Sequence, residues 1–367
     1  MKLTVEATDE TKSIRSIVAA PKFESGLDFF VNKLEFKIVM ISPADNPDYA
    51  ILNRDQFTVA LDKNAKAQPL FIEIPVEDES LIGTGLTGPN GTKVHYVPIV
   101  KLRNQAIDLQ PIVHLSHVSD TQWVRGRAGM SYRSLTGKHN EISVASQIRI
   151  EGSGKVADWV HYHDVSFQTL FCIKGSAKLV YEDQGEPFIF KEGDCILQPP
   201  GIRHQVLESF DDLEVIEVTS PSDHATFSDF NMELPNSSEA QTRQFNGQYF
   251  THDSPSSRAV TTYKDSTSLT AYSTSIGQAS GNQGWVKEIH SHAKNDKILT
   301  PTSVSPEKSL SFFLWFVKEG TAQIEVEERK ENLSPGDAIC FPYGFLPSMK
   351  FSVVDHDSEF KVLEIAF

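Results

Sequence analysis

Three histidines and one glutamine, His161, His163, Gln168 and His204, constrain this chain more than any other feature. His161-Tyr162-His163 sets two imidazoles at i and i+2, and on an extended strand both side chains leave the same face. Two nitrogen ligands therefore converge without a helix. Gln168 follows five residues after His163 and stands seven before Gly175, where Ile173-Lys174-Gly175-Ser176 reads as a hairpin turn. A second block, from Gly193 to His204, reads as a strand that ends in the turn Pro199-Pro200-Gly201 and delivers a third histidine. Three imidazoles and one oxygen donor suit a single divalent transition metal, Fe, Ni, Mn, Co, Cu or Zn, rather than Mg or Ca.

This pattern resembles the two motifs of the cupins, from His161 to Gly175 and from Gly193 to His204, with every interval kept. It departs from them in two places: Gln168 stands where the acidic ligand is expected, and Lys155 stands where a glycine precedes the histidines. The resemblance implies a jelly-roll β-barrel with His161, His163, Gln168 and His204 as the metal ligands.

The chain then repeats itself. Gly175-Ser176-Ala177-Lys178-Leu179-Val180-Tyr181, Gly193-Asp194-Cys195-Ile196, Pro199-Pro200-Gly201 and Glu214-Val215-Ile216-Glu217-Val218 have counterparts in Gly320 to Val326, Gly336-Asp337-Ala338-Ile339, Pro342-Tyr343-Gly344 and Lys361-Val362-Leu363-Glu364-Ile365. A second copy of the same unit implies a tandem bicupin, similar to the quercetinase- and pirin-like double barrels. In that copy Phe313 takes the Gln168 position and Pro347 the His204 position, so a metal site cannot be completed in the same way. His290-Ser291-His292 keeps a histidine pair, read as a relic or polar wall, since a dyad without a third protein ligand binds metal weakly.

Residues 1–90 follow another pattern. Ile14 to Ala19 reads as a strand. A helix follows Pro21, with Leu27, Phe30, Val31 and Leu34 as its apolar stripe, and then strands at 37–41, 49–52 and 57–61, with one more at 70–75. This βαβββ order, with Asp28 to Lys37, resembles one half-module of the vicinal oxygen chelate, or glyoxalase-like, superfamily. The family's histidine is missing from the first strand. A lone half-module leaves a sheet edge and a face that need a partner, which points to docking and a homodimer. The expected fold is mostly β: a small α+β module over 1–90, a metal-binding barrel over 91–225 and a degenerate barrel over 226–367.

Charge and composition narrow the partners. The formal charge of −15 over 367 residues disfavours nucleic acid and anionic membranes. There is no apolar run long enough to span a bilayer and no signal-peptide core in Met1 to Glu10, so a cytoplasmic protein with a small-molecule substrate is expected. Cys172, Cys195 and Cys340 fall inside expected strands and read as buried free thiols. The segment from Ile82 to Gly91 is glycine-rich but lacks a phosphate-loop ending, and it reads as a flexible connector. The polar stretch from Thr219 to Gln248 reads as the crossover between barrels.

Candidate substrate contacts are Arg203, beside His204, and the pair Arg125 and Arg127, since an arginine at the mouth of a metal pocket grips anionic oxygen. An outward-facing arginine paired with the acidic surface is the alternative. Trp159, two residues before His161, is expected on the same inward face, and Tyr162 and Asp164 on the other. Gln168, as a neutral amide donor, leaves a bound metal more positive and a stronger Lewis acid, and it cannot act as a base. No acidic base is evident beside the ligands. Three classes of function follow. The first is a dioxygenase acting on an enol, diketone or phenol, as in the cupin dioxygenases the site resembles. The second is a non-redox isomerase or cyclase, since cupins acting on unsaturated uronates and polyketides also place Gln here. The third is a small-molecule binding protein.

Overall fold

The apolar stripe after Pro21 folds as read. In the computed structural model, which describes residues 14–43, 46–99, 113–136, 143–237, 241–262, 269–291, 311–326, 329–341, 349–353 and 359–367, the helix Phe23–Asp28 runs on into a wider turn, Phe29–Lys33. Phe23, Phe30 and Leu34 are buried against Val18, Leu52, Val59 and Leu61, and Leu27 and Val31 pack at the margin. Burial of side chains this size contributes roughly 1.5–3 kcal/mol each. The helix carries the chain from the strand Ser16–Ala19 to Lys37–Ser42, and two hairpins return it through Tyr49–Arg54 and Phe57–Asp62. The last strand lies parallel to the first, Ser16 opposite Val59, which gives a four-stranded mixed sheet with the first and second strands at its edges.

A further three-stranded sheet belongs to this N-terminal unit, which ends at Gln105. Phe71–Val76 pairs in parallel with Lys93–Pro98, and Gly85–Thr87 pairs antiparallel with the same strand. The glycine-rich segment is therefore not a free connector but an edge strand. Gly85 is needed there because a Cβ would lie 2.5 Å from the Val94 carbonyl oxygen. The strand after residue 91 pairs with Phe71–Val76, so this unit extends past the expected boundary at 90.

The rest of the chain, from Ala106 to Phe367, is a second unit holding both barrels. The first is organised by two long strands, Phe167–Tyr181 and His204–Ser220, paired along nearly their whole length. The hairpin turn expected at Gly175 does not form. The strand runs through it with a shift of register between Lys174 and Ser176, and Gly175 sits at φ +68°, where a Cβ would meet the Phe210 carbonyl oxygen at 2.6 Å. A left-handed glycine serves a tight turn and a bulge equally, and here the partner strand, itself left-handed at Asp211 and Asp212, bends with it.

The repeat is structural. Strands of the first barrel run in the order Cys195–Leu197, Phe167–Tyr181, His204–Ser220, Val144–Ile150, Ser131–Ser134. The second runs Ala338–Phe341, Phe313–Glu319, Phe360–Ala366, Trp285–Ser291, Leu269–Ser273. The barrels also exchange edge strands: Thr251–Asp253 pairs with Cys195–Leu197 of the first sheet, and His114–Ser116 with Ala338–Phe341 of the second. Between them Phe167, Phe171, Ile216 and Val218 pack with Leu314, Phe316, Leu363 and Ile365. The three cysteines are buried thiols outside any disulfide, each inside a strand, as expected.

The interiors differ. In the second barrel Phe313, Trp315, Ile324, Phe341 and Val362 fill the core, and the carboxylate of Glu364 accepts the indole N–H groups of Trp285 at 2.9 Å and Trp315 at 3.0 Å. No helix among the described residues is long and apolar enough to cross a membrane.

Candidate metal centre

Strand pairing assembles the three histidines. His161–His163 is a short strand, and His161 lies directly opposite His204, the first residue of the long return strand. One ring nitrogen from each of His161, His163 and His204 can be chosen so that all lie within 4.8 Å of one another, and all three residues are buried. Each ring is oriented by its far side. His161 Nδ1 donates to the Trp159 carbonyl at 2.7 Å and His204 Nδ1 to the Ile202 carbonyl at 3.1 Å, while His163 Nδ1 bonds the Thr226 hydroxyl at 2.9 Å. For His161 and His204 the proton is thereby fixed on Nδ1, which leaves Nε2 with its lone pair.

Electrostatics keep these rings neutral. Burial, then the rings of His161 and His224, then Arg127, hold His163 down at about 2. Burial first, with His161 and His163 next, holds His204 well below the ordinary imidazole value, and burial with Arg127 lowers His161. A buried cluster of three neutral imidazoles could hold a transition metal.

Gln168 is buried in a directed chain of hydrogen bonds with Gln198 and Glu217, which line one cavity with His163 and His204. The Tyr181 hydroxyl donates to Gln198 Oε1 at 2.9 Å, Gln198 Nε2 donates to Gln168 Oε1 at 2.8 Å, and Gln168 Nε2 donates to the Glu217 carboxylate at 2.8 Å. The amide oxygen thus uses one of its two lone pairs on Gln198. Glu217 is the residue that sequence reading missed. It corrects the expectation that no acid adjoins the ligands, since its side chain lines the same cavity as His163 and His204. Burial pushes its carboxyl up, and the Gln168 N–H partly offsets that.

The arginines divide. Arg127 lines the cavity; its guanidinium donates to Asp158 at 2.5 Å and to His161 Nε2 at 2.6 Å. Arg203 is not brought to the centre: it pairs with Asp229 at 3.2 Å, donates to the Gly201 carbonyl and lies over the Tyr162 ring at 4.1 Å. Arg203 stands just before the strand His204–Ser220 begins, and its side chain lies with Tyr162, which points away from the histidines as expected. Arg125 is exposed on a short strand. Trp159 is 37 % exposed and contributes only its carbonyl, because the strand begins at His161 and the alternation does not reach back to it.

The cavity has a volume of about 350 Å³. Its body is apolar, with Met130, Ile148, Ile150, Leu170, Leu179 and Val215, and its polar groups gather around the histidines. His224, whose Nδ1 donates to the Pro221 carbonyl at 3.0 Å, is a fourth imidazole on this wall, 5.4 Å ring to ring from His163.

The second barrel offers no such arrangement among the described residues. His290 pairs with Lys361 in register as Arg149 pairs with Glu214. It therefore stands on the outer side of its strand, opposite the inward Ile289, with Nδ1 3.3 Å from Glu359. His292 and Pro347 lie outside the described residues. Phe313 occupies the Gln168 position, as expected, and is core.

Residues 149–219 match the cupin domain family, which covers the strands that carry all four candidate ligands and Glu217. With the structural repeat, the architecture is a bicupin. Among solved structures the chain is similar to a mutant of oxalate decarboxylase from Bacillus subtilis, at 18% identity and a TM-score of 0.49 over 68% of this chain and 76% of that one. It is also similar to a formate complex of oxalate decarboxylase from Lactobacillus farciminis, at 16% identity and a TM-score of 0.49 over 69% and 85%. A putative glyoxylate-induced protein from Pseudomonas aeruginosa follows at 12% identity and a TM-score of 0.46 over 72% and 91%. No curated protein matches the sequence.

Proposed function

We propose that the first barrel is the active site of a metal-dependent enzyme that takes a proton from a small oxygenated molecule, an enol, diketone or phenol, and that the overall reaction is dioxygenation. The observation that carries this reading is Glu217, a carboxylate that lines one cavity with His163 and His204, two of the three clustered buried imidazoles. A transition metal held by His161, His163, His204 and Gln168 would supply a Lewis acid and, if redox-active, a route for electrons to oxygen. The chain's own part is positional. Gln168 holds the Glu217 carboxylate through its N–H, Gln198 and Tyr181 hold Gln168, and the apolar wall seats the substrate's carbon skeleton and keeps water out. A carboxylate whose burial raises its proton affinity is a stronger base toward a weakly acidic C–H or O–H.

A non-redox isomerase or cyclase is the second reading, favoured by His224, which stands on the same wall and could return the proton to another atom. The two readings share the first step and part at oxygen. Metal-loaded protein is incubated with diketones, catechols and flavonols while oxygen uptake and deuterium incorporation from heavy water are followed. Oxygen consumption with a substrate supports the dioxygenase. Isotope exchange or isomerised product without oxygen use supports the isomerase. Loss of either signal in Glu217→Gln, with metal content kept, supports the base, and an undiminished signal in that variant contradicts it.

The N-terminal unit is read as a glyoxalase-like half that pairs with a second copy, supported by its βαβββ order and by the exposed Ile17 and Ile38 on its two edge strands. Sedimentation of the full chain as a dimer supports this reading; a monomer at micromolar concentration contradicts it.

A further inference from the structure

Arg127 donates to the same nitrogen that a metal at this centre requires. With Nδ1 of His161 committed to the Trp159 carbonyl, Nε2 has a single lone pair, and the Arg127 N–H takes it at 2.6 Å. One lone pair cannot serve a guanidinium and a metal together. The other end of the guanidinium is held independently. Its second terminal nitrogen donates to Asp158 at 2.5 Å, and Asp158, whose side chain is fully buried, also accepts the backbone N–H of Val206 at 3.0 Å.

The backbone beneath Arg127 is a short, tightly turned connection. Arg127 stands in the tight connection between Val124–Arg125 and Ser131–Ser134, two strands paired with Ser131 opposite Arg125. Ala128 and Gly129 are both left-handed, at φ +52° and +79°, and Gly126 lies so close to Tyr132 that a Cβ would come within 2.4 Å of the ring. A guanidinium pinned at one nitrogen and displaced at the other keeps its remaining donors in the cavity wall, beside the histidines. The cavity that Arg127 lines also presents the apolar side chains of Met130, Ile148, Leu179 and Val215.

We infer that Arg127 is an anion clamp: it caps His161 Nε2 until a metal takes that nitrogen, and then turns, still anchored on Asp158, to grip an anionic oxygen carried on an apolar body. The inference deepens the proposed function and rests on the reading of this cavity as a metal-dependent site. It assigns the substrate class by charge. A neutral hydrocarbon-like ligand gains nothing from the released guanidinium, whereas an enolate, phenolate or carboxylate oxygen pairs with it in a site largely shielded from water.

The test reads binding rather than turnover. Full-length protein is stripped of metal and titrated with Co(II), and the Co(II)-loaded protein is then titrated with benzoate, following the visible spectrum. Arg127→Met removes the competitor for His161, so it should bind Co(II) about tenfold more tightly than wild type, the scale of a hydrogen bond to a charged group. The same variant should need at least about tenfold more benzoate for the spectral change, and Arg127→Lys, which keeps charge without the fork, should fall between. Equal Co(II) affinity in wild type and Arg127→Met, equal benzoate affinity, or no benzoate response in wild type overturns the inference. Neither titration involves the proton step, so a Glu217→Gln protein with undiminished turnover would defeat that reading and leave this one standing.

Discussion

Glu217 and Glu364 occupy the same position in the two repeats, two residues before the partners of Gln168 and Phe313 in the sheet, yet they hold different donors. Glu217 accepts the Gln168 amide N–H in an open cavity; Glu364 accepts two indole N–H groups in a filled one. The residue directly across the sheet explains the contrast. Glu217 faces Leu170, which lines the cavity, whereas Glu364 faces Trp315, whose ring fills the space. One barrel keeps room for a ligand, and the other uses the same carboxylate to satisfy its core.

Replacing Trp315 with Ala should therefore destabilise the second barrel and leave the metal centre intact. The loss of a buried aromatic of this size costs about 3–5 kcal/mol, and Glu364 loses one of its donors. Urea unfolding measures the first effect and elemental analysis the second. A stability change below about 1 kcal/mol, or a fall in metal content, contradicts the assignment.

Gln168→Glu would set two carboxylates against each other, because Gln168 Nε2 is 2.8 Å from Glu217. In the metal-free protein one of the pair must keep its proton, so its affinity for that proton rises above the unfolded value. The folded state then binds more protons than the unfolded state, and stability falls as pH rises through the acid range. Metal-free Gln168→Glu should lose about 1–3 kcal/mol relative to wild type between pH 5 and pH 8, and added metal should recover much of it. Parallel pH profiles for the two proteins would show that the side chains do not meet.

Cysteine labelling probes the interior strands. Burial pushes the thiols of Cys172 and Cys195 up to about 12, and Cys340 is buried as well. Iodoacetamide at pH 8 should therefore leave all three unmodified in the folded protein and alkylate all three in guanidinium, as mass spectrometry would record. Rapid modification of Cys195 without denaturant would contradict the strand assignments around the site.

The site was legible in the sequence where chemistry fixes spacing. His161 and His163 share a face through a period of two, and the Pro199-Pro200-Gly201 turn brings His204 back to them. The helix after Pro21 was legible because Phe30 and Leu34 repeat at helical spacing, and both are fully buried. Gly175 misled because a left-handed residue fits a turn and a bulge alike. Trp159 misled because alternation holds only inside a strand, and the strand starts two residues later. Glu217 lies 49 residues from Gln168, so no local spacing could join them. Its one signal was the repeat, which places Glu217 and Glu364 in register. Arg127 was named beside Arg125, and only the tight connection between their strands decides which of them reaches the histidines.

The most direct measurement is the metal content of the purified, reconstituted protein by elemental analysis, for wild type, His204→Ala and His290→Ala. One transition-metal ion per chain is expected in wild type and in His290→Ala, and nearly none in His204→Ala, with circular dichroism unchanged in all three. Retention of a full equivalent by His204→Ala, or its loss from His290→Ala, would contradict the placement of the metal centre in the first barrel.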